Sequence, residues 1–176
     1  VAGVLVAVVA LTMAATPLLL LLYERVLQPR LGTGERPARE ADAMHDEANA
    51  VVICGFDHFG NIVGRFLLAN GVGTTVIDND SDRVDLLRRI GLKVYYGDPT
   101  RHDLLAAAGA GRARLIVLAL DEPARNLGLV HTVRKHFPGL EIMARAADRP
   151  EAYDLMEAGV QHVYRESFDT AVRVGE

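Results

Sequence analysis

The chain has 176 residues, half of them hydrophobic, and a formal net charge of −4. That is room for one ordinary domain and a little more. Without a basic patch interleaved with aromatics, nucleic acid is a poor partner, and a single cysteine, Cys54, excludes an internal disulfide framework.

The chain opens on residues 1–23, "VAGVLVAVVALTMAATPLLLLLY", without one charged side chain. As a helix this stretch is about 35 Å long, against roughly 30 Å of bilayer hydrocarbon. It lacks the basic start, short apolar core and small-residue cleavage site of a secretory signal. The expectation is a transmembrane helix within residues 1–28. Pro17 inside it removes one backbone hydrogen bond, which points to neighbouring helices that supply partners. Arg25, Arg30, Arg36 and Arg39 follow, with only Glu24, Glu35 and Glu40 beside them. Arginine excess next to a span marks the cytoplasmic side, so the larger C-terminal part is expected in the cytosol. Residues 29–49 are rich in Pro, Gly and charge. They read as a linker, with a short helix near Ala38–Glu47.

From Ala50 short apolar runs alternate with amphipathic stretches. The runs are "AVVIC", "TTVID", "LKVYY", "ARLIVLAL", "LEIMAR" and "QHVYR". Between them Ile62, Val63, Phe66 and Leu67 form one helical face. Val84, Leu87 and Ile90 form a second, and Leu127, Val130, Val133 and Phe137 a third. Strands separated by helices of this length imply βαβ units. The expected fold is α/β, a Rossmann-like doubly wound parallel sheet over residues 50–165. Its ligand crevice lies at the carboxyl ends of the strands, where the order reverses. Residues 166–176 would begin a C-terminal extension. Cys54 falls in the first strand and reads as a small buried apolar residue.

The stretch "VVICGFDHFGNIVGRF" carries most of the chemistry. Gly55 ends the first strand and allows a tight turn, and Gly60 lets helix and strand pack closely. Gly64 extends that contact. Phe56 and His58 lie in the same loop. The dinucleotide fingerprint has a glycine where this chain has Asp57, because only glycine lets backbone approach a pyrophosphate. A carboxylate there sits at the N-cap of the helix starting near His58, where its charge suits the helix dipole. The expectation is internal mimicry, in which Asp57 weakens or abolishes dinucleotide binding. The alternative is that the loop shifts and His58 or a cation offsets the charge. Asp78, with Asn79 beside it, closes the second strand 23 residues after Gly55. That is where a carboxylate receives ribose hydroxyls. Asp98 and Thr100, Asp121, Asn126 and Arg145 gather at later strand ends. Asp98, Thr100 and Asp121 would serve equally as helix caps, and Arg145 as a solvated surface arginine.

Catalysis is not expected. The only lysines, Lys93 and Lys135, have Arg89 and His131 four residues before them, so no Tyr-x-x-x-Lys pair exists. His131 and His136 are five apart and share no helix face, which argues against zinc.

These residues also resemble a family. The stretch from "VVICGFDHFGNIVGRF" through "YYGDPTRHDLLAAAGA", with "NLGLVHTVRKHFPGLEIMARAAD" and "YRESFDTAV", looks like the RCK/KTN (TrkA-N) regulatory domain of potassium transport proteins. It looks closest to the Kef-type glutathione-gated potassium-efflux antiporters, and "TPLLL" resembles the last membrane helix of their transport domain. The resemblance implies a cytosolic homodimeric sensor that gates a potassium:proton antiporter in the cell membrane. It implies AMP or NAD(H) in the Rossmann crevice, at Gly55, Phe56, Gly60, Asp78, Asp98 and Thr100, with Asp121 beside them. It implies glutathione near the dimer interface, and Asn126 and Arg145 match positions of the family pattern. The glycine-loop arginine of the family corresponds to His58, a departure that weakens the expectation of glutathione control. A ligand-free dimerisation scaffold and a potassium-channel gating domain stand as alternatives. No metal is implied.

Overall fold

The computed structural model describes residues 2–22, 40–42, 48–89 and 92–176. The chain divides into two compact units between Arg39 and Glu40. In the first, helix α1 (Ala2–Leu22) has 21 residues and no acidic or basic end groups, with Pro17 inside it. At 1.5 Å per residue it is about 31 Å long. Its Thr12 and Thr16 hydroxyls donate back to carbonyls one turn earlier, at 2.9–3.0 Å, so they present little polarity to their surroundings. Among the described residues no helix meets the length and apolarity needed to cross a membrane. The membrane crossing is therefore a proposal, taken up below. The arginines expected to mark the cytoplasmic side lie outside the described residues. So does most of the short helix expected near Ala38–Glu47, of which residues 40–42 are not helical.

The second unit alternates strand and helix from β1 onward. Its elements are β1 (Val51–Cys54), α2 (His58–Ala69), β2 (Thr74–Asp78), α3 (Ser81–Arg89), β3 (Val94–Tyr96) and α4 (His102–Ala107). They continue as β4 (Leu115–Leu118), α5 (Pro123–His136), β5 (Glu141–Ala146), α6 (Arg149–Glu157), β6 (His162–Arg165) and α7 (Phe168–Gly175). The six strands form one sheet in the order β3-β2-β1-β4-β5-β6, and every pairing is parallel. All six strands fall on the apolar runs expected from sequence.

Strand alternation explains why these runs are apolar throughout. Val51 and Ile53 point to one face and pack with Val76, Val84, Leu87 and Val94. Val52 and Cys54 point to the other and pack with Ile116, Leu118, Leu129, Val130 and Val133. A parallel sheet covered on both faces needs apolar residues at both phases. The chain winds outward from β1 in one direction and from β4 in the other. Right-handed crossovers then put α2 and α3 opposite α5 and α6.

One expected face is corrected. In α2, Val63 and Leu67 pack on the sheet, but Ile62 and Phe66 are 58% and 69% exposed. Gly60 and Gly64 are the buried residues of this helix, so its glycine edge faces the strands and the Ile62–Phe66 pair, one turn apart, is turned outward. Ile90 lies outside the described residues.

Cys54 is fully buried, and burial pushes its thiol well above the ordinary range. The thiolate is the reactive species. Cys54 should therefore react with Ellman's reagent only at the rate of unfolding, which labelling against urea concentration will measure.

Candidate functional site: the crevice at the strand switch point

The crevice opens where β1 has β2 on one side and β4 on the other. Its cleft of about 230 Å³ is lined by Gly55, Asp78, Asn79, Arg83, Ala119, Leu120, Asp121, Glu122 and Arg125. That is smaller than the roughly 300–1,000 Å³ of usual small-molecule pockets. The glycines of the loop do what their spacing suggested. Gly55 has φ +91°, and a Cβ there would lie 2.4 Å from the Ala119 carbonyl oxygen. A Cβ on Gly60 would meet the Gly55 carbonyl oxygen at 2.1 Å, and one on Gly64 would meet the Phe56 ring at 2.4 Å. Helix, loop and neighbouring strand therefore touch at three points where no side chain fits.

Asp78 is 1% exposed. Its Oδ2 accepts from the Phe56 N–H at 2.7 Å and from Arg83 Nη1 at 3.0 Å. Its Oδ1 accepts from the Asp80 N–H at 2.7 Å. This carboxylate already ties the glycine loop to α3, and a ribose would share it with Arg83. Phe56 is 2% exposed, so it offers the crevice its backbone N–H and not its ring. Asp98 is no helix cap. Its Oδ1 takes the Thr100 N–H at 3.0 Å, the Thr100 hydroxyl at 2.9 Å and Arg125 Nη2 at 2.6 Å. Burial alone would raise its carboxyl, but Thr100 and Arg125 outweigh burial and hold it below the usual range. Asn79 lines the cleft, and His58 is exposed at the start of α2.

Asn126 and Arg145 are each held by several hydrogen bonds. Asn126 is fully buried. Its Oδ1 accepts from the Leu120 N–H at 3.1 Å, and its Nδ2 donates to the Leu120 carbonyl at 2.9 Å and to Glu151 Oε1 at 3.0 Å. All its side-chain donors and its acceptor have partners. Arg145 is 8% exposed, not a solvated surface arginine. Its Nε donates to Glu166 Oε2 at 2.7 Å, and its Nη1 reaches the Leu120 carbonyl at 3.1 Å and Asp121 Oδ1 at 3.3 Å.

The TrkA-N domain model matches residues 51–166 of the chain. The chain belongs to the TrkA-N domain family. Among curated proteins it is 47% identical, over 95% of its length, to the glutathione-regulated potassium-efflux system protein KefC of Cronobacter sakazakii. It is 46% identical to KefC of Escherichia coli over the same share. It spans 26% of each of those proteins, about a quarter of their length. The AMP-bound Kef C-terminal domain of Shewanella denitrificans is 44% identical, with a TM-score of 0.65 over 72% of this chain and 77% of that one. The GsuK channel bound to NAD is 26% identical, with a TM-score of 0.62 over 83% of this chain and 26% of that one.

In this TrkA-N domain Asp57 occupies the N-cap position of α2 but makes no side-chain cap hydrogen bond. The expected capping carboxylate is corrected accordingly. Its Oδ1 is buried without a hydrogen-bond partner, and the Asp57 carboxyl meets that of Asp121. Two ionised carboxylates cannot donate to each other, so a hydrogen bond between them takes a proton. The contact with Asp57 pushes the Asp121 carboxyl above its ordinary value, helped by partial burial and the Asp57 charge and opposed by Arg145 and Arg83. The Asp57 charge acts on Arg83 and Arg145, which offset it. Arg83 and Arg125 were missed from the sequence. Their only signal is an arginine in the first turn of a helix that directly follows a polar strand end.

A raised Asp121 pKa means that the fold prefers the protonated acid. Its contribution to stability is full at acid pH and is lost as pH rises through the raised value, above the ordinary 3.8. Asp57→Asn should return the Asp121 titration to the ordinary aspartate range in carboxyl carbon NMR. An unmoved titration would assign the shift to burial.

Proposed function

We propose that this chain is the regulatory part of a potassium:proton efflux antiporter, in which an adenine nucleotide in the crevice biases the gating of an attached transport domain. The observation that carries the reading is the crevice itself. A TrkA-N sheet presents Gly55, Asp78 and Arg125 at its switch point, beside a glycine loop with the close approaches such sites use. The AMP-bound Kef domain and the NAD-bound GsuK channel support it by similarity. On this reading the chain acts by binding, not catalysis. Helix α1 is proposed as the last membrane span of a multi-pass inner-membrane protein, with the second unit in the cytosol.

Asp57 sets the ligand preference. A like charge at about 4 Å costs roughly 1–4 kcal/mol, depending on the local dielectric, or about one to three orders of magnitude in affinity. Arg83 and Arg145 offset part of this, and the cleft is small. An adenine mononucleotide such as AMP is therefore favoured over a dinucleotide, whose pyrophosphate needs the loop backbone that Asp57 guards. Calorimetric titration with AMP, NAD, NADH, ATP and glutathione is the test. AMP should bind the natural chain, and Asp57→Gly should raise NADH affinity at least about tenfold. Equal NADH affinity in both would remove Asp57 from the reading. Binding of no nucleotide by either would favour the scaffold, which the small cleft and Asp57 also suit.

The domain is proposed to act as a homodimer. Beside exposed Ile62 and Phe66, an apolar hollow of about 270 Å³ runs over β4–β6, lined by Phe59, Val63, Val117, Met143 and Tyr164. Burying side chains of this size stabilises an interface by about 1.5–3 kcal/mol each. Phe66→Asp should convert the chain from dimer to monomer in analytical ultracentrifugation at micromolar concentration, with the far-UV circular dichroism spectrum unchanged.

A further inference from the structure

The segment that leads into the second unit is fastened to the outer edge of its sheet. Strand β3 is the end strand on that side. The Asp42 N–H donates to the Tyr96 carbonyl at 2.9 Å, and the Asp42 carboxylate accepts from the Tyr96 N–H. Arg88 completes the fastening. Its Nη2 donates to Asp42 Oδ2 at 2.5 Å and its Nε to the Val94 carbonyl at 2.9 Å. A guanidinium thus bridges edge strand and incoming chain, and the contact mixes main-chain hydrogen bonds with an ion pair.

The fastening adjoins the crevice. Tyr96 is followed by Gly97, whose N–H donates to the Asp78 carbonyl at 2.9 Å. A Cβ on Gly97 would lie 2.7 Å from Leu104 Cδ1 and 3.5 Å from the Ala41 methyl. The residue before Asp42 therefore packs on the glycine that opens the next loop. Asp98 follows and holds Arg125, which lines the cleft. From Asp42 to Arg125 the path runs through the hydrogen bonds to Tyr96, along the backbone from Tyr96 to Asp98, and through the Asp98–Arg125 ion pair. Glu40–Asp42 is also where the chain coming from α1 enters the second unit. Any force between the two units along the covalent chain passes through it.

We propose that the β3 edge, with Arg88, is a docking surface for the linker at Asp42, and that docking there is coupled through the Gly97–Arg101 loop to occupancy of the crevice. Linkage makes the coupling reciprocal. If nucleotide binding alters Asp42 docking by some factor, undocking Asp42 alters nucleotide affinity by the same factor. The bonded and packed groups between Asp42 and Arg125 supply the physical route.

The test uses the full 176-residue chain in detergent, comparing wild type, Asp42→Ala and Arg88→Met by hydrogen exchange with mass spectrometry and by AMP titration. Arg88→Met keeps the Asp42 main-chain contact and serves if Asp42→Ala fails to fold. In both variants the amides of residues 97–101 should exchange at least about fivefold faster, and AMP affinity should shift by a similar factor, the low end of measured site-to-site coupling. Arg134→Met, which removes a distant bond to the Gly159 carbonyl at 2.8 Å, should change neither. Faster exchange at Tyr96 alone, with residues 97–101 and AMP affinity at wild-type values, overturns the proposal. The AMP arm rests on the crevice reading above and the exchange arm does not. A wild-type chain that takes up no AMP refutes that reading, while exchange at residues 97–101 still decides the coupling.

Discussion

The crevice depends on one close approach, the backbone of Gly55 against the carbonyl of Ala119. It brings the end of β1 against the end of β4 at the point where the sheet changes direction. Around it the other constraints follow in order. Gly60 must be bare so that α2 can start against Gly55. Phe56 must turn into the core, where Gly64 makes room for its ring. The Phe56 N–H, now pointing at β2, is satisfied by Asp78. A buried carboxylate needs compensation, and Arg83 supplies it. The polar crevice and the apolar core are thus two sides of the same glycine geometry.

The fold was legible because a doubly wound parallel sheet writes itself plainly. Its strands are apolar at both phases, and its helices carry one apolar stripe each. Glycine spacing and Asp78 then placed the crevice. What the sequence hid were contacts between elements far apart in the chain. Arg145 looks like an ordinary arginine at a strand end, and only the approach of Glu166 and the Leu120 carbonyl gives it its hydrogen bonds. Asn126 stands out in the sequence as a match to the family pattern, and its bonds to Leu120 and Glu151 join residues distant in the chain. The Ile62–Phe66 stripe misled for a different reason. Hydropathy records apolar residues, while the glycines decide which side of α2 can come closest.

Asp57 illustrates how a local rule can fail for a tertiary reason. An aspartate at an N-cap normally bonds a free N–H of the first turn. Here its carboxyl acts instead on that of Asp121, whose titration it raises. Arg83 and Arg145, held in place by Asp78 and Glu166, offset the charge of Asp57. The crevice mouth is therefore a balanced set of charges and not simply a positive site with one intruding anion.

The pairing of β1 with β4 also bears on how the chain assembles. Val51 lies opposite Leu115, 64 residues later in sequence. Closing a loop that long carries an entropic cost that grows with the logarithm of its length, and parallel pairings of this kind are slow to form. During synthesis β1, β2 and β3 can pair first, with the inner edge of β1 bare until β4 is made. An uncovered apolar strand edge invites pairing with another chain. The central position of β1, which makes the finished crevice possible, thus leaves the nascent domain most vulnerable to aggregation in the interval before residue 115 appears.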